Sequence, residues 1–244
     1  MMKYPLKLSV LAMLAAPLAV ARADLVFMGV VTVGGTGLGA VNTVLTIQST
    51  ANATTEQGCV GDSPTGDVIG VFQATGCTAA TAPDVKTGAS QTQTRTLAEA
   101  GVTSASNFAI LLNAAEPSGD AISLTTLVAN FYNATTGALL FTATYKGVPQ
   151  LFPSTETGTG NTGFGFTLDA TQAAALQTLV NANGGLTNVS VGLATSLSQA
   201  TGGNETFFIF NSGTASVVPE PSTMVLTASG LFGLAGFVRR RRRA

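Results

Sequence analysis

The sequence predicts a mainly β body, an antiparallel β-sandwich or jelly roll with one short helix at about residues 169–183. Three observations carry this. Nine or ten short runs rich in β-branched and aromatic residues alternate with Gly-, Asn- and Ser-rich turns. Polarity comes from threonine, 36 residues in all, rather than from charge, and threonine suits a pleated, half-buried surface. Among the runs of this body, only one has helical apolar spacing with a capping signal at each end.

The chain divides into a leader at 1–23, a body at 24–216 and a tail at 217–244. In the body, residues 25–33 form a first strand and 41–48 a second. The glycines between them, Gly34, Gly35, Gly37 and Gly39, miss the spacing of a dinucleotide-binding turn and read as a hairpin loop. Residues 52–65 read as a polar loop around Cys59, 68–74 as a strand, and 78–93 as irregular chain. Thr96 and Glu99 make a capping box that Gly101 ends after about one turn. Residues 107–113 form a buried strand. Residues 122–132 and 138–146 form a hairpin around the turn 133–137, which closes on Gly137. Pro149 and Pro153 confine 148–152 to an edge. After a turn at 156–162 and a strand at 164–168, Asp169 caps the helix with Gln172 as its partner. Ala173, Leu176, Leu179 and Val180 supply its apolar stripe, and Gly184 takes the position just past its end. Strands through Val189, Val191 and Leu193 and over 206–211 finish the body, and 211–216 reads as a linker.

The leader has the parts of a secretory signal. Lys3 and Lys7 give a positive start, residues 8–20 an apolar middle, and Ala21-Arg22-Ala23 a small-x-small cleavage site, so the mature chain starts at Asp24. The tail reads Val217-Val218-Pro219-Glu220-Pro221-Ser222-Thr223, then an apolar run from 224 to 238, then Arg239, Arg240, Arg241, Arg242 and Arg243. Both prolines favour extended neighbours, leaving Val218 and Glu220 open to a protease. The run is fifteen residues, about 22 Å as a helix, against a hydrocarbon core of about 30 Å. It reads as a short transmembrane helix whose arginines act as a stop-transfer signal and stay cytoplasmic.

Pro-Glu-Pro, short span and terminal arginines, in that order, resemble the PEP-CTERM sorting signal of Gram-negative bacteria. The resemblance covers 217–244 and implies that an exosortase, an inner-membrane enzyme, cuts near Val218–Pro221 and discards the span. It also implies an association with exopolysaccharide or biofilm matrix. The partners expected are then signal peptidase, the exosortase, the inner membrane transiently, and exopolysaccharide. The expected location is the cell surface or extracellular matrix.

Composition narrows what the body can do. It holds three basic residues, Lys86, Arg95 and Lys146, against eleven acidic ones, a net charge of −8. Such a body repels polyanions, which speaks against nucleic acid as a partner. Cys59 and Cys77, exported to an oxidising compartment, are expected to pair as a disulfide. The chain has no histidine, which rules out a Ser-His-Asp triad and disfavours zinc and copper sites. Asp62 and Asp67, with Glu56 nearby, form an acidic Gly-rich loop outside the EF-hand pattern, read as solvated rather than as a calcium site. No pair of carboxylates stands out for glycoside hydrolysis, and tryptophan is absent. The sequons at Asn52, Asn133, Asn188 and Asn204 are of the number chance provides in a chain rich in Asn and Thr. The sequence thus points to an exported structural protein, non-enzymatic, without catalytic residues, bound metal or cofactor. The alternative is a glycan- or calcium-dependent binding module on the same export route.

Overall fold

The computed structural model describes residues 24–33, 38, 41–49, 53–73, 76–88, 90–116, 120–145, 147, 149–153 and 162–218. The expected leader with Ala21 and Ala23, and the tail from Pro219 through Glu220, Pro221 and Ser222 to the arginines, lie outside them.

The described strands are β1 (Asp24–Val33), β2 (Asn42–Ile47), β3 (Thr55–Ser63), β4 (Gly66–Gln73), β5 (Gly76–Ala79), β6 (Arg95–Thr96), β7 (Phe108–Asn113), β8 (Ala121–Asn133), β9 (Leu139–Tyr145), β10 (Gln150–Pro153), β11 (Thr162–Leu168), β12 (Val189–Ser198), β13 (Glu205–Asn211) and β14 (Ala215–Val218). One helix, α1 (Ala170–Ala182), follows β11. All fourteen strands join one hydrogen-bonded sheet, in the order β2-β13-β7-β11-β1-β9-β8-β12-β3-β4-β5, with β10 on β8, β14 on β1 and β6 on β12.

The mainly β class and the single α-helix stand among the described residues, but the two separate sheets of a sandwich do not. The two antiparallel halves are joined where β1 meets β9 in parallel, through Asp24↔Thr144 and Leu25↔Tyr145 alone. Bulges at Met28 of β1, Val44 of β2, Thr125 of β8 and Leu140 of β9 add to the natural strand twist. The mixed sheet curls into a half-barrel, and its end strand β2 lies against β3 and β12. Val85 bridges to Ile47 and covers the outer edge of β2, with Lys86 N donating to Thr46 O at 2.9 Å.

The curl encloses one main core drawn from both halves and α1. Its aromatics interlock: Phe108 meets Phe131 edge-on at 5.0 Å, and Phe152 lies 4.4 Å from Phe164. Each fully buried phenylalanine of this kind contributes about 1.5–3 kcal/mol by leaving water.

Local chemistry explains the elements that the sequence announces. Gln172 N donates to Asp169 Oδ1 at 2.8 Å, which caps α1. At the other end Gly184 has φ 85°, Gly185 N donates to Val180 O and Gly184 N to Asn181 O, a Schellman closure. Ala173, Leu176 and Val180 are buried, with Leu179 half-buried beside them. Thr96 and Glu99 bond each other's backbone N–H, completing the capping box. The β8–β9 hairpin turns on Asn133, whose Oδ1 accepts from Thr135 N and Thr136 N. Gly137 closes that turn at φ 65°, and a Cβ there would lie 2.4 Å from Ser63 Cα.

Four readings need correction. The chain from β1 to β2 is not a hairpin connection, because β1 pairs with β11, β9 and β14 whereas β2 pairs with β13. Residues 52–65 are not a loop: β3 occupies most of them, paired with β12 and β4. Its polar sequence conceals a buried strand in which Gly58 leaves room for Val85, 2.2 Å from where a Cβ would stand. Part of 78–93 belongs to β5. The expected linker 211–216 holds a 3-10 turn, Ser212–Thr214, and the start of β14.

Candidate functional site

Two places in the fold bear on function, and the first is the junction with the tail. β1 has β11 along one edge, and its other edge is shared between β9 at Asp24–Leu25 and β14 at Val30–Val33. The register runs antiparallel from Val33↔Ala215 to Val30↔Val218. Val218 is therefore extended, as the prolines imply, but it is paired on the sheet rather than held open. The next residue, Pro219, has no N–H to add to a ladder.

Cys59 and Cys77 are bonded to each other, tying β3 to β5. The acidic loop that the sequence suggested is split by the fold. Asp62 and Asp67 face each other across the β3–β4 turn, yet each is occupied by another partner. Ser190 Oγ donates to the Asp62 carboxylate. Thr94 donates to Asp67 Oδ1 from both N, at 2.9 Å, and Oγ1, at 2.6 Å. Partial burial raises the Asp62 pKa, against the pull of the Ser190 hydrogen bond. Glu56 lies at the opposite end of β3 and belongs to a different group. Of the sequon asparagines, Asn204 is exposed, Asn133 and Asn188 bond Asn183, and Asn52 lies outside the described residues.

That group is the second place. Glu56 near the start of β3, Glu116 after β7 and Glu205 at the head of β13 are all fully buried. One carboxylate oxygen from each lies within 4.8 Å of the others. The fold delivers them by register: Glu56 faces Leu197 of β12, Glu205 faces Ile47 of β2, and Thr206 faces Asn113 at the end of β7. The curl then brings the β2 side to β3. The connection between β12 and β13 is tied down on both sides, with Ala200 N donating to Thr54 O and Gln48 Nε2 to Gly202 O. Gly203 passes so close to Ala115 that a Cβ would lie 2.4 Å from its carbonyl oxygen.

Two of the carboxylates are held by backbone. Ser49 N donates to Glu56 Oε1 at 2.6 Å. Thr201 donates to Glu116 Oε2 from N, at 3.0 Å, and from Oγ1. No N–H or hydroxyl of another residue donates to either oxygen of Glu205, to Glu56 Oε2 or to Glu116 Oε1, and the carboxyl of Glu205 is within hydrogen-bonding reach of Glu56 alone. Burial first, then Glu56 and Glu116 beside it, push the Glu205 carboxyl far above the ordinary carboxylate range. Three converging carboxylates with hard oxygen donors can hold a cation or share a proton. The sequence reading passed over this trio because its members are far apart in the chain. No local signal marks them: Glu56 lies in a stretch that reads as loop, and Glu205 stands just before the strand at 206–211.

Among the described residues no helix is long and apolar enough to cross a membrane. The apolar run at 224–238 lies outside them. No curated protein and no solved structure matches the chain. A match does exist at the tail, directly where β14 leaves the sheet. Residues 217–243 match the PEP-CTERM protein-sorting motif, so this chain carries the C-terminal signal of an exported, exosortase-targeted protein.

Proposed function

We propose that the chain is a structural protein of the cell surface or extracellular matrix, processed by exosortase, associated with exopolysaccharide and not an enzyme. The observation that carries this reading is the sorting motif at 217–243, beginning inside β14. The leader takes the chain across the inner membrane, and the arginines stop transfer with the C-terminus cytoplasmic. Cleavage between Val218 and Pro221 then frees a body whose last strand stays on the sheet. An oxidising destination agrees with the Cys59–Cys77 bond. A histidine-free chain gives little material for hydrolytic chemistry, and the buried glutamates are out of reach of a polymeric substrate. A calcium-dependent binding module on the same route is the second reading, favoured by the glutamate trio.

Mass spectrometry of the mature protein from cells and medium tests the first reading. The expected species starts at Asp24 and ends within 218–221. A chain still ending at Ala244 in every fraction would sink it. Association with matrix predicts co-sedimentation with isolated exopolysaccharide that is lost after the polysaccharide is digested.

A further inference from the structure

We propose that Glu56, Glu116 and Glu205 bind a calcium ion at the seam where the curled sheet brings β2, β7 and β13 against β3. Acidic residues often cluster without a ligand, but these differ in two respects. All three are fully buried, where like charges are costly without a counter-charge. Beyond that, Glu205 lies in the trio with no N–H or hydroxyl of another residue donating to either carboxylate oxygen. A native interior rarely leaves such atoms unsatisfied. The electrostatic surroundings of Glu205 come from the other two glutamates, and no lysine or arginine pairs with the trio among the described residues.

The donor set selects the ion. Glu56 Oε2, Glu116 Oε1 and both oxygens of Glu205 are free to coordinate. Ser49 adds a buried, unpartnered Oγ on the residue whose N–H already holds Glu56. These are hard oxygen ligands with no nitrogen or sulfur among them, which favours calcium over zinc or copper. One carboxylate oxygen from each residue lies within 4.8 Å of the others, close enough for all three to reach one calcium at about 2.3–2.6 Å. Magnesium wants a tighter shell, about 2.0–2.1 Å, and keeps several of its waters. The other carboxylates of the acidic loop, Asp62 and Asp67, are satisfied by Ser190 and Thr94 and take no part.

The effect of the ion is to staple the seam. It would cross-link elements contributed by β3, β7 and β13, which no disulfide joins. The proposal is independent of how the tail is processed, since the mature C-terminal mass and calcium binding are separate readouts.

The experiment is calorimetric titration of calcium chloride into the full-length chain, purified in detergent and stripped with EDTA, alongside thermal melting. The expected result is one calcium per chain. A rise in Tm of roughly 5 °C is expected at about a hundredfold excess over the dissociation constant. Magnesium should bind at least about tenfold more weakly. Glu205→Gln should lose the calcium-dependent shift while melting in EDTA no lower than the parent chain, since a neutral amide of the same shape replaces a carboxyl that the metal-free protein already holds protonated. Glu56→Gln, which keeps the oxygen facing Ser49 N, is the second variant should the first not fold. Asp62→Asn combined with Asp67→Asn should bind calcium as the parent does. No saturable calcium binding would overturn the proposal, as would binding unchanged in both glutamine variants or lost in the aspartate variant. In the first of those cases a shared proton, rather than a metal, would hold the trio together.

Discussion

Tyr132 and Tyr145 are the tyrosines of the body, and burial raises both hydroxyl pKa values above the ordinary 10.0. The folded chain therefore holds these protons more tightly than the unfolded chain. The stabilisation this gives is complete below pH 10.0 and is lost as pH rises through the higher folded values. Titration of the mature protein followed by tyrosinate absorbance should show its onset above that of free tyrosine, with both residues normal after denaturation. Half ionisation at the free-tyrosine pH in the folded protein would contradict this. Removing the disulfide by Cys59→Ala with Cys77→Ala should cost about 3 kcal/mol for a loop of this length, measured as a lower urea midpoint. The cysteine pair was legible in the sequence because compartment and number settle it. The glutamate trio was not, because each acid is unremarkable among its own neighbours and acquires meaning only beside the other two.

At the scale of elements, local signals were legible where side-chain chemistry and hydrophobic spacing agree. α1 shows this, with Asp169 at its start and Gly184 at its end. Asp169→Ala should destabilise the protein by about 1 kcal/mol in urea denaturation, with the fold kept. Gly137→Ala should cost more than about 1 kcal/mol, because it sets a Cβ both at positive φ and against Ser63. β3 escaped notice because its run Thr-Glu-Gln-Gly-Cys-Val-Gly-Asp-Ser looks like loop chemistry. Its place in the sheet rests on neighbours at β12 and β4 and on glycines that admit them, not on its own propensity. β14 escaped for a related reason, since a four-residue strand before a proline resembles a spacer. Hydrogen exchange on the processed protein should find amides of 215–218 protected by pairing with β1, whereas a free tail would exchange at the rate of an unstructured peptide.

For the molecule as a whole, a single core cluster spans both halves of the sheet and α1. Calorimetry of the mature protein is therefore expected to show one cooperative unfolding transition. Two resolved transitions would mean that the narrow β1–β9 pairing separates independent units. The sequence by itself determined the mainly β class, the helix, the β8–β9 hairpin, the cysteine pair and the sorting motif. Each is written in residues adjacent in the chain or in a simple period, so local sterics and capping suffice to read them. Only the tertiary structure decided that one sheet curls on itself, that β14 docks on β1, and that three distant glutamates meet. Those outcomes depend on register and accumulated twist between strands far apart in sequence, and no local pattern encodes that sum.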